Sequence, residues 1–112
     1  MRANKDSIEP VENPVGIFRR TLTWNEEVML CHFDMKEGAQ IPLHDHLASQ
    51  NGFVISGKLR FITESEDFVV GPGDSYVFGP NEKHGADVLE DSEVIEAFAP
   101  ARPEYAREIV TE

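Results

Sequence analysis

Three histidines and one glutamine are spaced so that they could share a single ion. His44 and His46 are separated by one residue, Gln50 follows after three more, and His84 comes after the turn Gly79-Pro80-Asn81. A neutral imidazole offers a directional nitrogen lone pair to nickel, zinc, iron, manganese or copper. Two imidazoles on one strand face, with a third brought back by a hairpin, can enclose one cation. The Gln50 amide can add its oxygen. Three nitrogens and one oxygen leave positions open for water or substrate, which separates a catalytic metal site from a structural one. Gln50 has an alternative place as a hydrogen-bond partner behind a ligand, with water completing the coordination.

An amide where a carboxylate could stand has two chemical consequences. The site carries one negative charge fewer, so a bound divalent ion is a stronger Lewis acid toward an anionic substrate. Gln50 also cannot act as a general base, because an amide does not titrate in the useful range. Any acid or base must come from elsewhere, and the stretch VIEAFAPARPEY offers one. Glu96 and Phe98 are two apart and share a strand face, and Arg102 follows the break at Pro100.

These residues need strands to position them. The chain reads as short β-prone segments: VGIFRRTLTW, EVMLCHFDM, QIPLHDH, QNGFVIS, KLRFITE, DFVV, DSYVFG, HGADVLE and SEVIEAFA. The residues between them, EG, SG, ESED, GPGD, GPNEK and EDS, have the turn chemistry of hairpins. Many short strands in one small chain predict an all-β sandwich or barrel. Residues 1–14, polar and holding Pro10 and Pro14, read as an N-terminal arm, and residues 15–112 as one barrel with a short C-terminal tail. Only that tail, PEYAREIVTE, hints at a helical period.

Alternation assigns faces to the remaining side chains. Phe53 and Ile55 share one face and Val54 the other. Tyr76 and Phe78 alternate with Val77, so one set fills the barrel. Arg60 reads as solvent-facing, Cys31 as core, and His32 as a surface or satisfied core residue. Trp24 reads as packed at a dimer surface or under the N-terminal arm, and ESED as a solvated tip.

The chain has 112 residues, 40% of them hydrophobic, which suits one domain with one core. Ten Lys+Arg against twenty-one Asp+Glu leave a formal charge of -11. That charge repels phosphate backbones and anionic membrane surfaces, which argues against both as partners. An anionic substrate would need a local cation to receive it. A single cysteine excludes an internal disulfide framework. The opening residues lack the apolar core of a signal peptide, and no apolar run reaches the length of a membrane span, so the expected location is the cytoplasm.

The stretch from Gly38 to Gly57 fits the pattern G-x5-H-x-H-x3-(E or Q)-x6-G, and it resembles the first motif of the cupin superfamily. GDSYVFGPNEKH resembles the second. Gly79 stands where a proline is common, Asn81 where a glycine is common, and Val88 where an asparagine is often found. The resemblance covers roughly residues 35–100. It implies a small double-stranded β-helix, or jelly-roll, barrel that pairs into a homodimer. It also implies one divalent metal ion per chain (nickel, zinc, iron or manganese) with His44, His46, Gln50 and His84 in the ligand positions.

Within the superfamily, the histidines and glutamine together with Glu96, Phe98 and Arg102 look like the KdgF family of pectin-degradation proteins, in which the acidic position is commonly aspartate. That family opens the ring of 4,5-unsaturated uronates, left by pectin and alginate lyases, to the linear keto-aldehyde. The resemblance implies a small acidic sugar as substrate. Glu96 would deliver or relay a proton, Arg102 would clamp a carboxylate, and Phe98 would pack on the sugar. Two other classes remain open at this point: a dioxygenase or other oxidoreductase using iron or manganese, and a sugar-binding or sensing module without turnover.

Overall fold

A computed structural model describes residues 1–108. Its eight strands are β1 (Val11–Glu12), β2 (Ile17–Trp24), β3 (Met29–Met35), β4 (Gln40–His44), β5 (Ser49–Thr63), β6 (Asp67–Val70), β7 (Ser75–Phe78) and β8 (His84–Ala99). Two long strands form the spine, because β5 and β8 pair antiparallel from Ser49↔Ala99 to Thr63↔His84. The first half of β5 and the second half of β8 lie in one layer with β7, β3, β2 and β1. The second half of β5 and the first half of β8 lie in the other, with β6 and β4. Each long strand thus serves two layers, and the result is the expected all-β, single-domain jelly-roll barrel.

Two expected hairpin turns are bends inside these long strands. QNGFVIS and KLRFITE merge into β5, and HGADVLE and SEVIEAFA merge into β8. Ladder register shifts near Ser56 and Lys58 allow the bend without breaking the pairing. Gly57 has φ 95, and a Cβ there would lie 2.2 Å from Ser92 Oγ. Only glycine meets both demands. Ser92 Oγ accepts from Lys58 N at 3.0 Å and donates to Glu90 O at 2.7 Å, so the corner's backbone groups are paired.

The core follows the alternation. Met29, Cys31, Phe33 and Met35 of β3 point inward with Val54, Leu59, Phe78, Val94 and Phe98. Each large side chain of this set contributes roughly 1.5–3 kcal/mol by burial. Tyr76 and Phe78 fill the barrel while Val77 is exposed. Cys31 is fully buried, and burial pushes its thiol up to about 11. Arg60 is exposed and pairs across the hairpin with Asp67 at 2.8 Å. His32 is a buried residue that is only half satisfied. Its Nε2 meets Glu93 Oε2 at 2.6 Å, and its Nδ1 has no partner among the described residues.

The N-terminal segment and the described part of the tail dock against β2. Val11 and Glu12 pair with Arg19 and Phe18, and Arg20 Nε donates to Ile8 O at 3.0 Å. The helical reading of the tail fails over its described part. Pro103–Tyr105 makes one 3-10 turn, and Ala106–Glu108 are not helical. The tail's polar groups pair with β2 instead. Thr21 Oγ1 donates to Tyr105 O at 2.6 Å, and Arg107 donates to the Thr21 and Leu22 carbonyls. Residues 109–112 of that expectation lie outside the described residues. Arg107 of the same segment lies over the ring of Trp24, and the Trp24 backbone N–H donates to Met1 Sδ at 3.4 Å. No helix among the described residues is long and apolar enough to cross a membrane.

Candidate functional site

The three histidines arrive from two places. His44 closes β4, and His84 opens β8 directly opposite it in the ladder. His46 lies beyond the end of β4, in the loop leading to β5, rather than on the strand face with His44. The loop before His84 is tied to that segment, since Asn81 N donates to His46 O at 2.8 Å. Asn81 has φ 60, a conformation that asparagine tolerates better than most residues. This is why it can stand where glycine is common. Gly79 N donates to Glu82 Oε1 at 3.0 Å, a bond that a proline in its place could not make.

Each imidazole is oriented through Nδ1. His44 Nδ1 meets Pro42 O at 2.9 Å, His46 Nδ1 meets Ala48 O at 2.7 Å, and His84 Nδ1 meets Glu82 O at 2.8 Å. A carbonyl accepts only, so each Nδ1 carries a proton, and in the neutral ring Nε2 then offers a lone pair. The ligand atoms of the three lie within 4.8 Å of one another. Burial lowers the pKa of His46, and it pushes His84 down to about 4. Both are therefore neutral near pH 7, the form that ligates metals. His84 also stacks on Phe78, with ring centroids 4.4 Å apart and planes at 3°.

Gln50, the second residue of β5, joins this cluster. Its Oε1 lies 3.1 Å from both His46 Nε2 and His84 Nε2. These are acceptors facing acceptors, which is unfavourable without a cation between them. The donor set of three imidazoles and one amide oxygen fits a divalent transition ion, and uncharged ligands of these types preserve its full charge. The other end of the amide faces away, with Nε2 donating to Glu96 Oε2 at 2.7 Å.

Glu96 is 4% exposed, and burial raises its pKa. Hydrogen bonds from Tyr76 and Gln50 and the charge of Arg102 oppose that rise. Tyr76 Oη donates to Glu96 Oε2 at 2.6 Å. Arg102 follows β8, lies 5.4 Å from the Phe98 ring centroid and 4.1 Å from that of Tyr105, and pairs with Glu104 through Nε at 2.8 Å. Its Nη edge has no carboxylate partner among the described residues. Phe98 is buried, with its ring 6.0 Å from that of His46. A narrow cavity of about 60 Å³ touches His44, Gln50, His84, Glu96, Phe98 and Arg102. The structure thus brings all seven expected residues into one region.

Alternation alone places Tyr76 in the core and gives Gly52 no part, yet Tyr76 Oη reaches Glu96 and its ring lies against Gly52. Their signals were a phenol among phenylalanines, whose hydroxyl needs a partner when buried, and a glycine inside a strand, which marks a close approach.

Comparison with known proteins agrees with this architecture. A family model described as cupin domain matches residues 31–98. The pectin degradation protein KdgF of Dickeya dadantii is 32% identical over 92 residues, 80% of this chain and 84% of that protein. The structure of KdgF from a Halomonas species superposes with a TM-score of 0.88 at 29% identity, covering 95% of this chain and 100% of that one. An RmlC-like cupin from Shewanella frigidimarina has a TM-score of 0.85 at 26% identity, with coverages of 95% and 100%. With the histidine cluster inside a two-layered barrel and these matches across most of its length, the chain belongs to the cupin family and is similar to its KdgF members.

Proposed function

We propose that this protein opens the ring of 4,5-unsaturated uronates, the sugars released by pectin or alginate lyases, to their linear keto-aldehyde form. The observation that carries the reading is a buried carboxyl, Glu96, bonded to the same glutamine that closes the histidine cluster, with Arg102 lining the same cavity. The similarity to KdgF supports the substrate class. His44, His46 and His84 through Nε2, with Gln50 through Oε1, would hold one divalent ion. Such an ion, when bound, supplies Lewis acidity toward the substrate's carboxylate or an adjacent oxygen.

The reaction is an isomerisation. The bond between the anomeric carbon and the ring oxygen breaks, the anomeric hydroxyl gives up its proton, and C4 of the enol gains one. Glu96 is the group suited to deliver that proton, because burial keeps its acid form populated above the usual carboxylate range. Arg102 presents its Nη edge, which has no carboxylate partner among the described residues, to the substrate carboxylate, a local cation on a chain of charge -11. Phe98 forms an apolar wall that helps keep water from the reacting end of the sugar.

A proton NMR time course tests the reading. Metal-loaded protein is mixed with unsaturated galacturonate, beside a chelated control and the Glu96→Gln variant. The expected result is metal-dependent loss of the vinylic proton signal faster than the spontaneous rate. Glu96→Gln should slow it by about 10²–10⁴-fold while keeping its metal. No acceleration by the loaded protein overturns the proposal.

The proposed assembly is a homodimer formed through the outer face of the larger layer. Phe53 and Ile55 are 49% and 40% exposed there, beside Val77 on the neighbouring strand. Light scattering showing a monomer at micromolar concentration would remove it.

A further inference from the structure

Glu96 is the one acidic side chain buried among the described residues, and its two oxygens are not equivalent. Oε2 accepts from Tyr76 Oη at 2.6 Å and from Gln50 Nε2 at 2.7 Å. No donor among the described residues reaches Oε1. With both donors on Oε2, that oxygen is the carbonyl of the acid form and the acid proton belongs on Oε1.

Tyr76 makes this bond from two strands away. In the ladder Tyr76 opposes Gly52, and Gly52 opposes Glu96, so the three stand in one row across β7, β5 and β8. The phenol passes over the middle strand at the point where it has no side chain. A Cβ at position 52 would lie 2.1 Å from Tyr76 Cζ and 2.3 Å from its Oη. Any other residue there closes the path. Phe61, with its ring centroid 4.3 Å from that of Tyr76, packs the phenol in place. A glycine inside a strand, which lowers stability, and a buried tyrosine beside it therefore form one device.

We propose that Tyr76, admitted by Gly52, is a positioning residue for Glu96: with the Gln50 amide it anchors Oε2 and leaves Oε1 to exchange the proton with substrate. This rests on the ring-opening reading for the identity of the substrate, and it holds for any proton transfer that Glu96 performs. The conservative change Tyr76→Phe keeps the ring and deletes the hydroxyl. Gly52→Ala keeps the hydroxyl and displaces the ring.

The test joins kinetics with a structure. With unsaturated galacturonate, both variants should lose kcat by about tenfold or more, with KM and metal content unchanged. Tyr76→Phe should add no further loss in a protein already carrying Glu96→Gln, because the two act as one unit. The crystal structure of the Tyr76→Phe variant should show the Glu96 carboxyl turned or split between orientations, against a single one in the unmodified protein. Full kcat in Tyr76→Phe, or losses that multiply in the double variant, overturns the proposal. If the unmodified protein does not open the uronate, the structures decide. An unmoved carboxyl overturns the positioning role, and a displaced one upholds it while the ring-opening reading falls alone.

Discussion

Gln50 Oε1 lies 3.1 Å from two histidine Nε2 atoms, and its Nε2 lies 2.7 Å from the Glu96 carboxyl. One amide thus joins the histidine cluster to the buried acid. Its acceptor end suits a cation and its donor end faces a carboxyl. A carboxylate at position 50 could serve the first purpose and would oppose the second.

The first prediction follows from that geometry. Gln50→Glu should retain metal at least as well as the unmodified protein, because the donor set gains a charge. It should lose turnover by about 10²-fold, because two carboxyl groups within hydrogen-bond distance share a proton and Glu96 loses a donor. Elemental analysis and the vinylic-proton assay separate the two effects. Full turnover would show that the amide donor is unimportant to Glu96.

Removing one imidazole should act differently. His46→Ala should weaken metal affinity by more than about 100-fold and lower activity in parallel, since activity depends on occupancy. Titration calorimetry on the chelated protein measures the first quantity. Unchanged affinity would mean that the ion is held without the loop histidine.

Arg102 should govern substrate capture rather than the chemical step. Losing a charge-assisted contact costs roughly 1.5–3 kcal/mol, so Arg102→Ala should lower kcat/KM by about 10- to 100-fold, chiefly through KM. Arg102→Lys should restore part of it, since an ammonium keeps the charge and loses the planar fork. A fall confined to kcat would move Arg102 out of the binding role.

The gathering of His44, His46, Gln50 and His84 was legible from residue spacing, because side chains able to share one ion must recur at intervals that let them converge. The spacing of His44, His46, Gln50 and His84 survives folding even though His46 lies past the strand end. The course of the strands was less legible. A glycine in a turn and a glycine in a bent strand look alike in sequence, and only the closeness of Gly57 to Ser92 distinguishes the bend from a hairpin. The role of Tyr76 depended on register. Nothing local says that residues 76, 52 and 96 share a row, since their pairing is fixed by long-range ladders. The tail misled for a similar reason, because Thr21 and Arg107 connect it to β2 in place of bonds within a helix.

The last prediction concerns stability against pH in the metal-free protein, where His84 and Glu96 act with opposite signs. Burial pushes His84 down to about 4 from an ordinary 6.5, so between those values the unfolded chain binds the proton and the folded one does not. Stability should therefore fall as pH drops from about 6.5 toward 4, and His46, also lowered by burial, adds to the fall. Glu96 is raised above its ordinary 4.5, so its contribution is complete below that value and is lost as pH rises through the folded pKa. Thermal unfolding of chelated protein across this range should show a maximum. In the Glu96→Gln variant the decline on the alkaline side should shrink, while the acid side stays as steep. Bound metal should move the acid-side fall to lower pH, because protons must then displace the ion from the imidazoles. An alkaline decline unchanged in Glu96→Gln would place its origin in a group other than Glu96.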